Sequence, residues 1–208
     1  MPNISLLSWN IAFAKPSISA PKHWKEEYAD ETRKEIQRLI QQYSPDILAV
    51  QEIPNPNWLP MLVSFDQYIP LGTAPTHSGY CALLVRTKHV HKIDQVYRVG
   101  PSVLAFWKGQ HEALYAISSM HLYPGSNGGI NRKEQFKAIL ATCVEKKYAG
   151  GIFAGDMNMR KQEEQEIEGL HKPPLIDVWK LMGTPKNRWT WNSKINHYHP
   201  HGHTFQAR

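Results

Sequence analysis

The 208 residues are 41% hydrophobic and 20% charged, which supports one globular domain with a sizeable core and excludes an intrinsically disordered chain. The formal charge of +6 favours a polyanionic partner such as a phosphate-bearing substrate. Two cysteines, Cys81 in the apolar run CALLV and Cys143 on the apolar face of a helix, exclude a disulfide scaffold and read as buried free thiols. The start, MPNISLLSWNI, has no basic stretch leading into a long apolar one, and no run is long enough to span a bilayer. An intracellular protein, cytoplasmic or nuclear, is expected, and the sequence sets no oligomeric state.

In chain order, ISLLSWNI reads as a buried strand, followed by the polar loop AKPSISAPKHW. Residues Glu26 to Tyr43 form a helix, with Ile36, Leu39, Ile40 and Tyr43 on one face. The SPD after it stops it. DILAVQEI is a second buried strand, closed by PNPN. GYCALLVRT, HKIDQVYRV, SVLAFWKG and EALYAISSMHL are strands of a β-rich middle. After the loop YPGSNGG, Asn131 caps a helix with Phe136, Ile139, Leu140, Cys143 and Val144 on its inner face. AGG ends that helix and leads into the GDMN strand, and RKQEEQEIEG is a solvated helix or loop. PPLIDVWKLMG gives a short helix with Asp177 near its start, and RWTWNS and HTFQAR are strand pieces. This order argues for two packed sheets with helices outside.

Several apolar runs end on polar side chains. The first strand ends on Asn10, the second on Glu52, the SSMHL strand on His121, and the GDMN strand on Asp156 and Asn158. Alternation along a strand would put Asp156 and Asn158 on one face, with Met157 turned into packing. Each residue has a plainer role: Asx turn at GDMN, turn former at Asn10, solvated terminus at Glu52, interfacial histidine at His121. Their joint occurrence points to metal-assisted phosphodiester hydrolysis. Glu52 holds Mg²⁺, and Asn10 orients a water of its shell. Asp156 positions or deprotonates the attacking water, while Asn158 and His121 donate to phosphoryl oxygens.

SWN, QE, HL and GDMN, in this order and spacing, resemble the endonuclease/exonuclease/phosphatase superfamily over essentially the whole chain. IFAGDMNMR followed by LIDVWKLMGTPKNRWTWNS resembles its 5′-tyrosyl-DNA phosphodiesterase branch most closely. The resemblance implies a DNase I-like fold: a four-layer α/β sandwich of two mixed sheets flanked by helices. It implies Mg²⁺, with Mn²⁺ as a substitute, and a DNA or other phosphodiester partner in DNA repair. It assigns the site to Asn10, Glu52, His121, Asp156 and Asn158, with Asn10 also toward the metal. Arg160 would contact phosphate and Trp191 would be a substrate-side aromatic. For Arg160 the plainer role is surface solvation; Trp9, Trp179 and Trp189 read as packing residues, and Asp177 as a helix cap.

The sequence departs from the branch in four places. SWN and VQE stand for TWN and LQE and keep the functional residue. LYPGS replaces a short serine-containing segment after the histidine. The Ser-Asp-His of the final strands is absent, so the domain, residues 1–208, is expected to lack its last strands. The expectation is a metal site with little or no hydrolase activity. His197, His199, His201 and His203 read as an exposed hairpin loop; the sharper alternative is a metal cluster or a replacement acid. Other readings are a non-catalytic nucleic-acid or phosphate-binding remnant, or action on abasic DNA, RNA or a phospholipid.

Overall fold

The computed structural model describes residues 3–11, 26–170, 174–185, 189–192 and 204–206. Its first half runs β1 (Leu6–Asn10), α1 (Glu26–Tyr43), β2 (Ile47–Ile53), α2 (Leu59–Leu62), β3 (Tyr68–Thr76) and β4 (Gly79–Arg86). The second half runs β5 (Ile93–Arg98), β6 (Ser102–Lys108), β7 (Leu114–His121), α3 (Gly129–Glu145), β8 (Gly150–Asp156), α4 (Lys161–Glu168) and α5 (Val178–Met182). A small antiparallel pair follows, β9 (Trp189–Asn192) with β10 (Thr204–Gln206).

The first sheet has the order β1-β2-β4-β3 and the second β5-β6-β7-β8. Each is mixed and contains one parallel pair, β1 with β2 and β7 with β8. A helix links the strands of each pair, α1 in one and α3 in the other, as a parallel connection requires.

Three cores make four layers. Alternate residues of β2 and β4, Ile47, Ala49, Leu83 and Val85, meet Val103, Ala105 and Ile117 between the sheets. Their neighbours Leu48, Val50, Ala82 and Leu84 face outward and take Ile36 and Ile40 of α1. On the far side, Leu104, Phe106, Ala116 and Met120 take Phe136, Ile139, Leu140 and Cys143 of α3. Strands buried on both faces read as continuous apolar runs, which is why ILAV and CALLV carry no polar alternation. The four-layer α/β sandwich is therefore the one expected. Both thiols are buried, and burial pushes each up to about 12.

The structure differs from the sequence reading in detail. The sequence YIPLGTAPT forms β3, an unforeseen strand that holds two prolines at the sheet edge. Helix α3 begins at Gly129 with Gly128 at its N-cap, so Asn131 lies inside the helix and does not cap it. Tyr43 and Val144 are each 60% exposed, on the outer faces of α1 and α3. RKQEEQEIEG contains helix α4, whose Ile167 is buried. Asp177 caps α5 as expected, its Oδ1 accepting from Trp179 N at 2.8 Å and Lys180 N at 3.4 Å. His197, His199, His201 and His203 lie outside the described residues, as does the side chain of Trp191. Among the described residues, no helix is long and apolar enough to cross a membrane.

Candidate functional site

The two parallel pairs end side by side. Asn10 is the last residue of β1, Glu52 lies near the end of β2, and His121 and Asp156 close β7 and β8 as register partners. The first sheet thus supplies Asn10 and Glu52, and the second supplies His121 and Asp156. Ligand sites in open α/β sheets form outside the carboxyl ends of parallel strands for the same reason: the side chains there converge with no further strand to cover them.

Asn10 ties the sheets together. Its Nδ2 donates to Glu52 Oε1 at 3.0 Å and to Asp156 Oδ2 at 2.9 Å. His121 is 3% exposed, and its Nε2 lies 3.6 Å from Glu52 Oε1 and 3.9 Å from Asp156 Oδ2. Its other nitrogen, Nδ1, faces Ser78 Oγ at 3.4 Å.

Backbone conformation is what aims these groups. Glu52 has φ +58° and sits where the pairing of β2 with β4 shifts between Val50 and Ile53. A glutamate in the left-handed region costs roughly 1–3 kcal/mol and persists only when its surroundings hold it there. Behind it, the buried Gln51 donates from Nε2 to Ser119 Oγ at 3.1 Å, a hydrogen bond from one sheet to the other. Gly155 has φ +136°, and a Cβ there would lie 2.0 Å from Met120 O. Only glycine lets β8 approach β7 this closely one residue before Asp156.

Asn158 does not share a strand face with Asp156, because β8 ends at Asp156 and Asn158 takes φ +51°. Its backbone N donates to Asp156 Oδ1 at 3.0 Å, an Asx turn, and its Nδ2 donates to Leu122 O at 3.1 Å. The turn and a place beside the cluster coexist. Met157 packs on the core beneath α3. Arg160 stands exposed just before α4, its backbone N donating to Glu163 Oε2 at 3.3 Å.

Glu52, His121 and Asp156 can each turn one ligand atom into a space where all three lie within 4.8 Å of one another. The two carboxylates suit a hard divalent cation of the Mg²⁺ or Mn²⁺ kind, which takes oxygen ligands, and the imidazole stands beside them. The amide nitrogen of Asn10 faces both acids, so this residue reaches a cation through Oδ1 only if the amide turns over. Sequence reasoning did not single out Gln51, Ser78 or Arg132. Gln51 was hidden because only the glutamate of its motif was weighed, and Arg132 because a helical Arg-Lys pair reads as surface.

Residues 7–205 match the Endonuclease/Exonuclease/phosphatase family. Tyrosyl-DNA phosphodiesterase 2 of Xenopus tropicalis is 26% identical over 203 residues, which are 93% of this chain and 51% of that protein. The Homo sapiens protein of the same name is 26% identical over 162 residues, 74% of this chain and 44% of its own length. The chain thus spans about half the length of the curated relatives it matches. The crystal structure of D. rerio TDP2 complexed with single strand DNA product superposes with a TM-score of 0.72 at 20% identity, covering 99% of this chain and 80% of that one. The human Nocturnin catalytic domain does so at 0.67 and 18%, covering 88% and 74%. These superpositions show the fold. With strand ends that gather Asn10, Glu52, His121 and Asp156 and a match that runs from β1 to β10, the chain belongs to the endonuclease/exonuclease/phosphatase family.

Proposed function

We propose that the chain hydrolyses phosphodiester bonds of nucleic acid with the help of Mg²⁺, its substrate being most like a DNA 5′-phosphate joined to a tyrosine. The observation that carries this reading is the cluster of Glu52, His121 and Asp156 cross-linked by Asn10 at the seam of the two sheets. The relatives named for tyrosyl-DNA cleavage and the TDP2 structure with single strand DNA product support the substrate class.

Glu52 and Asp156 would hold the cation, with His121 beside them. A divalent cation supplies positive charge to a phosphoryl oxygen as negative charge builds there. Asp156, 34% exposed at its side chain, can accept a proton from a water approaching phosphorus. Asn10, whose amide nitrogen donates to both acids, would orient that water through its Oδ1 beside a bound cation. Asn158 and the imidazole of His121 donate to the oxygens that gain charge. Arg160 contributes a phosphate contact from the start of α4 and Trp191 a substrate-side aromatic.

The test is hydrolysis of a 5′-phosphotyrosyl oligonucleotide with Mg²⁺ by the chain, by its Asp156→Asn variant, and in EDTA. Cleavage that both controls abolish supports the reading. Salt-dependent binding without cleavage supports a second reading, a phosphate-binding protein without turnover, in keeping with the formal charge of +6. Matched abasic-DNA, RNA and phospholipid substrates separate the remaining members of the class.

A further inference from the structure

Arg132 is a fully buried positive charge whose partners lie nearer the surface. Its side chain is 0% exposed, on helix α3, and all three nitrogens donate. Nε meets Glu163 Oε2 at 2.7 Å and Nη2 meets Glu163 Oε1 at 2.6 Å, a bidentate pair. Nη1 donates to two carbonyls, Tyr123 O at 2.8 Å and Gly125 O at 2.7 Å. Arg132 holds Glu163 below the ordinary carboxylate range, against the burial that raises it, with help from the Arg160 backbone.

The segments so joined are the two that leave the cluster. Tyr123 and Gly125 belong to the loop after His121, and Glu163 to α4, which follows Asp156, Asn158 and Arg160. Nearer the cluster the same segments are joined again, by Leu122 N to Asp156 O at 3.0 Å and Asn158 Nδ2 to Leu122 O. Gln135 of α3 also accepts from Tyr123 N at 2.9 Å, so α3 holds both the N–H and the carbonyl of Tyr123. The chain makes room for this bridge. A Cβ on Gly128 would lie 2.6 Å from Arg132 Nη1, and one on Gly129 would lie 3.0 Å from Glu163 Oε1.

Helix packing alone does not call for such a group. Apolar side chains of like volume usually replace a buried ion pair without loss of stability. What they cannot replace is the grip on two loop carbonyls. We propose that Arg132 is a positioning residue: it fixes the loop after His121 against the segment after Asp156, and so sets the spacing of His121 and Asp156 about the cation. This inference rests on the cation-binding reading of the cluster.

The experiment uses the whole chain and Mn²⁺ as the probe, with affinity followed by calorimetric titration and Tm, kcat and KM measured alongside. Two variants are compared, Arg132→Lys and the double variant Arg132→Met with Glu163→Met. Lysine keeps the charge but has three donors on a single nitrogen, so it loses the bidentate fork onto Glu163 and at least one of the four hydrogen bonds. Positioning predicts that both variants lose about 10–100-fold in Mn²⁺ affinity, the usual cost of removing support behind metal ligands. It also predicts that kcat falls more than KM rises, because misplacement acts on the reacting geometry. The double variant also gives up the hydrogen bonds to Tyr123 O and Gly125 O and the acceptor of Arg160 N, so its Tm should fall modestly, and affinity is read below that Tm. If it binds Mn²⁺ within about twofold of the unsubstituted chain, Arg132 is only a packing group and the proposal falls. Should the double variant not fold, Arg132→Lys read below its own Tm decides in the same way. Mn²⁺ binding by the unsubstituted chain without hydrolysis sinks the phosphodiesterase reading alone and leaves Arg132 judged on affinity. Failure to bind Mn²⁺ at all sinks both.

Discussion

Glu52 and Gly155 show how single residues reach the site by opposite means. Glu52 bears a left-handed backbone despite its side chain, while at Gly155 the backbone conformation and the approach to Met120 leave no room for one. Gly155→Ala should therefore destabilise the chain by more than about 3 kcal/mol, since strain and a backbone clash combine. Urea unfolding would show this as a lower midpoint, and a loss below about 1 kcal/mol would mean β8 can shift away from β7 freely. Asp156→Asn should act in the other direction on the metal-free chain. Two carboxylates share one amide donor at Asn10, and removing one charge relieves their repulsion; Oδ1 still serves Asn158 N, and the new amide nitrogen in place of Oδ2 is accommodated by the Asn10 amide turning over to accept from it. A Tm equal to or above that of the unsubstituted chain, with metal binding abolished, is the expected result; a lower Tm would place the carboxylate's main value in folding. The residues of this cluster were legible because each ends an apolar run. The orientation of Asn158 was not, because strand alternation holds only while the strand lasts, and β8 stops at Asp156.

At the scale of elements, long apolar runs and well-spaced helices were legible, and β3 was not. Its two prolines and its glycine argue against a strand, yet an edge position spares them the hydrogen bonds they cannot make on both sides, and the pairing shifts between Pro70 and Gly72. The true start of α3 was hidden for a related reason, since glycines at 128 and 129 look like loop residues until Arg132 and Glu163 fill the space beside them. The opposite ends of β1 and β2 carry a staple of their own. Asp46 accepts Ser5 N at 3.0 Å, Ser5 Oγ at 2.8 Å and His89 Nε2 at 2.8 Å. Burial pushes the Asp46 carboxyl up, but the Ser5 hydrogen bonds and His89 outweigh it and hold the group below its ordinary range. A carboxyl depressed in the folded state stabilises the fold above the unfolded value and loses that contribution as pH falls through the folded one. Asp46→Asn should cost roughly 1–3 kcal/mol near pH 7. The gap between variant and unsubstituted chain should close as pH drops below about 3.9. Urea midpoints from pH 7 down to pH 2 test this; a gap independent of pH would show that shape rather than charge matters at position 46.

Across the whole molecule the site exists only when the two sheets are docked, because each sheet holds half of it. The core between them, with Leu83 and Ile117 each at most 1% exposed, is thus the mechanical support of the cluster. Leu83→Ala should lower stability by about 2–5 kcal/mol, the usual cost of a leucine removed from a packed core. A cation that binds only the docked state must raise stability by mass action, about 2.7 kcal/mol at a concentration 100 times its Kd. Adding Mn²⁺ should then raise the Tm of the unsubstituted chain, and Glu52→Gln or Asp156→Asn should erase the rise. Leu83→Ala should start from a lower Tm and still respond to Mn²⁺, because its ligands are intact and the docked state remains the one that binds. The informative failure is a Leu83→Ala chain that folds but no longer responds. That result would mean the sheets can pack with a different offset, that the spacing of Glu52 and Asp156 follows the offset, and that the inter-sheet core, with the Gln51–Ser119 hydrogen bond inside it, tunes the metal site directly.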